Sequence, residues 1–558
     1  MRTFVTVLAM MLFVPGIFYA QNEMILEDFA TSGGKYLHDQ IRGDTTATGA
    51  RVNLNRIYVL RRGGTYLIHT QITNNGWTLR IKAENGAGPK PVIYTYKNPS
   101  TTSYPARQFD VRGDLWLSNL TMIAYQRLLD EDHPEVNLSP APGNTITAQT
   151  VGNSIVVDSC IFIGARNACI QTSSATHKLV VTNSLFGEMG DIFDTNIGNG
   201  RPIDFRNVSV DSVIIQNNSF MDITDRVVRH YSSVGPIDYF LFDHNTVVNS
   251  ASMHGCLGLG YVLHTVQITN NVFVDNFALG NDSTDITRLS EFGEPGEKTP
   301  NGQGRMTFVG TIANDTTQYI VRKNFYSVTP ALQTFYDSHS GSPTPGGIGN
   351  LVPLTWYINK RIADSTTAFV KETITLNKAT RNLVLFATWY YNPDTTVGAN
   401  RTKNNATYSR AVDFQRPVWQ FYADTLNLTY QTSAAAYTGA DAGLPAGDLN
   451  WYPDKKLIWT SVDGEAGQLV PTSFSLDQNY PNPFNPSTKI RFALPHTGIV
   501  TLKVFNILGQ EVATVINGYM VAGTHEQVFD AGKLSSGVYV YTLSLEGFFA
   551  SKKMLLLK

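Results

Sequence analysis

Between Gly63 and Phe325 the chain is written in short alternating runs, each closed by a polar bend. Val157-Asp158-Ser159-Cys160-Ile161-Phe162, Val181-Thr182-Asn183-Ser184-Leu185-Phe186, Ile215-Gln216-Asn217-Asn218-Ser219-Phe220, Phe242-Asp243-His244-Asn245-Thr246-Val247 and Ile268-Thr269-Asn270-Asn271-Val272-Phe273 align as one repeated unit. Apolar positions two apart place one face of each run toward a core and the other outward. The closing residues Phe162, Phe186, Phe220, Val247 and Phe273 recur at spacings of 24, 34, 27 and 26 residues. A repeat of that size with a short strand in each unit marks a solenoid. The unit contains β-branched runs and Asn-rich bends but no helical period, so the solenoid is a parallel β-helix. Its coils stack about 4.8 Å apart, burying columns of Ile, Val and Phe, and the bend asparagines can hydrogen-bond along the stack. The long 34-residue step carries Gly198-Asn199-Gly200-Arg201-Pro202-Ile203-Asp204, expected to leave the coil as a loop. Solenoid loops tend to line the working face.

Gly63-Gly64-Thr65-Tyr66-Leu67-Ile68, Trp77 to Ala83 and Leu115 to Met122 supply earlier strands, and Tyr319 to Phe325 a late one. From residue 346 to 468 the pattern is less regular, with strand-like runs at Leu354 to Ile358 and Leu383 to Tyr391. We read that segment as a cover for the open end of the solenoid, because an uncapped end exposes strand edges and apolar columns. Its close, Ala436 to Trp451, resembles a tail that follows β-helices in secreted Bacteroidetes proteins.

Beyond it the pattern changes to a separate small β domain. Three prolines within Pro481 to Pro486 force an extended opening. Alternating strands follow at Lys489 to Leu494, Val500 to Asn506 and Val538 to Leu543, with turns at Gly509-Gln510, Gly523-Thr524 and Ser535-Ser536-Gly537. The Asn479 to Thr488 opening, the Phe505 to Val512 strand and turn, the Gly537 to Leu543 strand and the terminal Lys552-Lys553-Met554-Leu555-Leu556-Leu557-Lys558 resemble the C-terminal sorting domain of type IX secretion cargo. That resemblance implies an immunoglobulin-like sandwich recognised by the type IX secretion machinery at the outer membrane. It also implies release or attachment of the cargo at the cell surface. At the other end, basic Met1-Arg2, the apolar run Phe4 to Tyr19 and Ala20-Gln21 read as a signal peptide. Pro15-Gly16 interrupts that run, and a membrane anchor needs about twenty unbroken apolar residues; no other span is expected. The expected organisation is signal peptide 1–20, parallel β-helix 21–345, irregular β-rich cap and linker 346–468, and sorting domain 469–558. The fold class is all-β, a right-handed parallel β-helix followed by an immunoglobulin-like β-sandwich.

Length changes the picture only by confirming need: 558 residues exceed one compact core, and an elongated repeat meets it. A net charge of −2 and a pI near 6.6 exclude a nucleic-acid footprint and a polybasic membrane patch. Cys160, Cys169 and Cys256 are an odd set in an exported chain. Cys169 and Cys256 share a column three coils apart, about 14 Å by the strand spacing, too far to bond. No metalloprotease, phosphate-loop, serine-hydrolase or paired-cysteine motif is present.

The second strands of successive coils, counted from the repeat, are Ala168 to Thr172, Asp191 to Thr195, Arg226 to His230 and Gly255 to Leu259. This register stacks Asp191 beneath Arg226 and Asp194 beneath Arg229, with His230 and Tyr231 beside them. It is the densest ionisable cluster in the repeat, and either a surface charge ladder or a site. β-Elimination from a uronic polysaccharide needs a neutralised carboxylate, a base and an acid. Arg226 and Arg229 can supply the first and even the second, and His230 or Tyr231 a proton-transfer group. Asp191, Asp194 and Asp204 can hold Ca²⁺ through oxygen ligands. The repeat and the Gly63-Gly64-Thr65-Tyr66 strand resemble the pectate-lyase-like superfamily, especially its alginate lyase and chondroitinase B group. That resemblance implies a Lys and Arg pair with Ca²⁺, yet the matching coils carry arginines and no lysine: Lys178 starts a different strand and Lys323 is several coils away. The expected function is to act on or bind an extracellular acidic polysaccharide, with a noncatalytic carbohydrate-binding solenoid or adhesin as the alternative and glycoside hydrolysis by the Asp191 and Asp194 pair third.

Overall fold

The computed structural model describes residues 22–101, 103–124, 143–190, 199–231, 234–251, 255–276, 308–310, 316–338, 356–362, 364–379, 384, 387–388, 426–462, 474–494, 498–520, 523–545 and 548–558. The signal-peptide expectation for residues 1–20 therefore lies outside the described residues. The repeat forms three all-parallel sheets of ten, ten and eight strands, in the order the coil visits them. One coil runs from Asn153–Asp158 in the first sheet, through Ile161–Ile163 in the second, to Ala168–Thr172 in the third, and Thr176–Thr182 begins the next. Parallel crossovers of this kind take the right-handed sense.

The registers match the repeat read along the chain. Phe162 pairs with Phe186, Phe186 with Phe220, Phe220 with Val247 and Val247 with Phe273. Phe162, Phe186 and Phe220 stack at ring separations of 4.8 and 5.0 Å inside the solenoid. The bend between first and second sheets turns on Asn119, Ser159, Asn183, Asn217, His244, Asn270 and Lys323, all at left-handed φ between 48° and 61°. Asparagine tolerates that region better than most side chains. The next residue points inward, and there a ladder forms: Asn218 Nδ2 donates to Asn245 Oδ1 (3.0 Å), Asn245 to Asn271 (3.2 Å) and Asn271 to Asn324 (2.8 Å). Each of these amides also donates to a main-chain carbonyl of the preceding coil, so the buried polar groups are satisfied.

Two expectations are revised. Arg201–Asp204 is not part of a loop but a buried strand of the third sheet, with Ala168 paired to Arg201 and Gln171 to Asp204. Ile203 occupies the inward column between Ile170 and Val228, and this apolar position draws the segment into the coil. Gly190 and Gly200, both at positive φ, bring the chain together just before it: a Cβ on Gly200 would lie 2.5 Å from the Gly190 backbone. The second revision concerns the segment after the repeat. Residues 356–371 do close the far end, as Ile358 and Ala368 are fully buried and Phe369 packs on Phe273 and Phe308. Asn427–Val462, in contrast, runs along the side of the solenoid. Ala436, Leu444, Ala446 and Leu449 pack on Met221, Val248, Val272 and Phe325, on the outward face of the second sheet. That face is apolar, so burying it drives the docking. Gly447, at φ 87°, lets the backbone approach: a Cβ there would sit 2.5 Å from Thr246 Oγ1. At the near end, the short helix Leu37–Gly43 inserts Leu37 and Ile41 into the first coil.

Ser475–Leu476, Ser487–Leu494 and Gly523–Asp530 form one antiparallel sheet, and Glu511–Met520, Gly498–Asn506, Gly537–Leu545 and Phe548–Leu556 another. The two share a core of Ile490, Phe492, Val500, Leu502, Val504, Tyr541, Leu543 and Leu556, as alternation requires of a sandwich. Tyr541 anchors the proline-rich opening: its hydroxyl donates to Asp477 O and accepts from Asn479 N.

Candidate functional site

The described members of the charged cluster lie on or beside the third sheet. Its strands expose alternate residues away from the core, and one outward column reads Asp110, Thr147, Gln171, Asp204, Arg229 and Gly258 in paired register. Asp204 thus occupies the place beneath Arg229 that spacing alone assigned to Asp194. The reason is the strand revision above: Arg201–Asp204 supplies the strand that pairs with Val228–Arg229. Asp191 and Asp194 lie outside the described residues.

Asp204 is fully buried, and its Oδ2 lies 3.5 Å from Arg201, Arg229 and Gln171 while Oδ1 accepts the Arg206 backbone N–H at 3.0 Å. Arg201 bonds Asp225 at 2.7 Å and Asn167 at 3.2 Å; Asp225 also sits 3.4 Å from Arg226. Burial pulls the Arg201 guanidinium below its usual value, and Asp225 and Asp204 oppose that pull. Arg226 is buried against Gly258, where a Cβ would lie 2.8 Å from its guanidinium. Arg201 and Asp225 were missed at the level of sequence. Arg201 fell inside the presumed loop, and Asp225 stands just outside the counted strand; its adjacency to Arg226 was the available signal.

His230 is buried, with Nδ1 2.8 Å from Leu259 O and Nε2 3.2 Å from Val208 O. Burial lowers its proton affinity, while the carbonyls of Leu259, Val208 and Gly235 work the other way. Both ring nitrogens are directed at the main chain, so the imidazole positions structure rather than facing solvent. Tyr231 is half-buried, and two guanidiniums lie over its ring: Arg229 at 4.4 Å and Arg206 at 5.8 Å from the centroid. These are cation–π distances. Of the acids named for Ca²⁺, only Asp204 lies among the described residues. Its oxygens face guanidiniums and an N–H, and this arginine-rich surround does not fit a divalent cation. Chemically the half-exposed edge is suited to a planar anion, because an Arg fork recognises carboxylate or sulfate in two-point fashion.

Comparison with known proteins assigns the other end of the chain. Residues 478–557 match the family model of the secretion system C-terminal sorting domain. The chain therefore carries a type IX sorting tail, which addresses it through that secretion machinery to the cell surface or the extracellular space. No curated protein and no solved structure matches the chain. No helix among the described residues is long and apolar enough to cross a membrane.

Proposed function

We propose that this exported β-helix binds an extracellular acidic polysaccharide on the outward face of its third sheet, at Arg206, Arg229 and Tyr231, after delivery by its sorting tail and an N-terminal signal peptide. The observation that carries the reading is the pair of guanidiniums gathered over the Tyr231 ring, with Arg229 seated on the buried carboxylate of Asp204. A side chain whose charge is held in place by a buried partner loses little freedom on binding an anion. β-Elimination is the second reading, favoured by the phenol of Tyr231 lying beside two cations, an arrangement in which it can exchange a proton with a uronate whose carboxylate the arginines neutralise. Membership of the pectate-lyase-like superfamily belongs to that reading; the Ca²⁺ expected at Asp191, Asp194 and Asp204 does not, because Arg201 and Arg229 already occupy the Asp204 carboxylate.

Affinity electrophoresis through gels loaded with alginate, pectate or glycosaminoglycan, with and without Ca²⁺, tests both. Retardation by an acidic glycan but not by a neutral one is expected, with Arg229→Ala weakening it about 10-fold or more, as for a charge-assisted contact of about 1.5–3 kcal/mol. Ultraviolet absorbance of unsaturated uronate in the same mixtures selects elimination, and Arg229→Ala should abolish it. Retention by no acidic glycan together with no absorbance change overturns the proposal.

A further inference from the structure

At the opposite end from the sorting tail, a second cluster stands apart from the arginine ladder. The cap helix Leu37–Gly43 presents His38 and Asp39 to His69, which follows the second-sheet strand Thr65–Ile68 of the first coil. One ligand-capable atom from each of His38, Asp39 and His69 lies within 4.8 Å of the others. The imidazoles of His38 and His69 meet edge to face with centroids 4.4 Å apart, and Tyr36 packs on His69 at 4.2 Å. His38 is 3 % exposed and its Nδ1 has no hydrogen-bond partner, although an orphaned buried nitrogen is costly. His38 Nε2 lies 3.5 Å from Asp39 Oδ1, which Arg42 also approaches at 3.8 Å. His69 Nδ1 is 3.1 Å from Thr70 Oγ1. When the Thr70 hydroxyl accepts from Nδ1–H, Nε2 carries the lone pair and can act as a ligand, the support that commonly stands behind a metal-bound imidazole.

We propose that His38, Asp39 and His69 hold a divalent transition-metal ion of the zinc class, which fastens the cap helix to the first coil of the solenoid. Two imidazoles and a carboxylate are the ligand types that such an ion selects over Ca²⁺ or Mg²⁺, and three protein ligands leave a fourth position for water. Ligand atoms around Zn²⁺ lie about 3.3–3.6 Å apart given bond lengths near 2.1 Å, so Asp39 and His69 need side-chain shifts of about 1 Å to close on it. Both lie on the more exposed side of the cluster and are able to make that shift. The position gives the ion a structural task. Leu37 and Ile41 plug the near end of the core, and a tie between their helix and His69 would hold the plug in place.

The test uses the full mature chain stripped with a chelator and titrated with ZnCl₂ in a calorimeter. One ion per chain is expected, together with a rise in the thermal unfolding midpoint and, with Co²⁺ in place of Zn²⁺, the visible absorption of a histidine-ligated ion. His69→Ala should abolish all three. Because His38→Ala empties a buried position and can unfold the cap, the half-buried His69 is the decisive variant, and its far-ultraviolet dichroism should match the wild type. Thr70→Val should weaken binding about 10-fold or more. Absence of binding and of a cobalt spectrum in the wild-type chain, or the same stoichiometry and affinity in His69→Ala, overturns the proposal.

Discussion

Asp204 shows how one side chain organises a charged surface. It lies at the centre of two arginines from neighbouring coils and is itself fully buried. Removing one partner of a buried ionic set leaves the others without compensation, at a cost of about 3–5 kcal/mol. We therefore expect Asp204→Ala to lower the unfolding free energy of the solenoid by about that amount in urea titration, whereas breaking an exposed ion pair such as Lys503 with Glu511 should leave it nearly unchanged. A loss below about 1 kcal/mol in Asp204→Ala would mean that Arg201 and Arg229 are held by other groups. Sequence alone identified Asp204 as an acid of interest and Arg229 as a member of the charged cluster, stacked there on Asp194. It could not join the two, since that required knowing which residues of the 34-residue step form the strand. The three cysteines were simpler: all are buried and none is bonded, and for Cys169 and Cys256 the register implied as much. Burial also raises the thiols of Cys160, to about 12, and of Cys169, so neither is an activated nucleophile.

At the scale of the element, the bend between the first and second sheets sets the pitch of the whole repeat. One residue in the left-handed region and one inward amide are repeated from Asn217-Asn218 to Lys323-Asn324. Asn245 donates to Ile215 O and Asn271 and accepts from the Asn218 backbone N–H at 3.0 Å, so truncation strands groups on two coils. Asn245→Ala should cost about 1–3 kcal/mol for each group left unsatisfied, and hydrogen exchange should show faster opening of the strands Val210–Gln216 and Val262–Thr269. Uniform protection across the variant would count against the ladder as the element that couples coils. This ladder was legible in advance because a stack repeats its own chemistry: an amide in one coil meets an amide in the next. The strand Arg201–Asp204 was not legible, because a polar, proline-containing segment carries little β signal of its own and is held by tertiary pairing on both sides.

Across the whole molecule, the side strap Asn427–Val462 links coils that the sequence keeps far apart. Asp448 is the buried point of that contact: its Oδ2 accepts from Ser219 at 2.6 Å, and its backbone N–H donates to Thr246 Oγ1 at 2.8 Å. Burial raises the Asp448 carboxyl from 3.8 to about 6, against hydrogen bonds from Ser219 and Asn450 and the nearby charge of Lys456. A folded value above the unfolded one means that the protonated form favours docking; this contribution is full below about pH 4 and is lost as pH rises through about 6. A shift of that size corresponds to about 3 kcal/mol. Asp441 acts in the opposite sense. Its burial is outweighed by hydrogen bonds from Arg322, Lys323 and Asn270, which hold it well below the ordinary carboxylate range, so its contribution disappears only in strong acid. Between pH 4 and pH 7, thermal melts should therefore show the wild type losing stability relative to Asp448→Asn. Parallel curves for the two proteins over that range would remove Asp448 from the account.

The primary chain by itself determined the stacked coils, the register of their apolar columns, the amides along the bend and the exported β-sandwich at the end, because each of these repeats or alternates with a period that local chemistry writes directly. Tertiary structure alone decided which part of the long step joins the third sheet, that Asn427–Val462 lies along the side rather than over the end, and that Asp204 with Arg229, rather than Asp194, forms the paired charge. Those outcomes depend on burial between segments many residues apart, where the free energy gained by covering an apolar face or pairing a buried charge outweighs weak local preference.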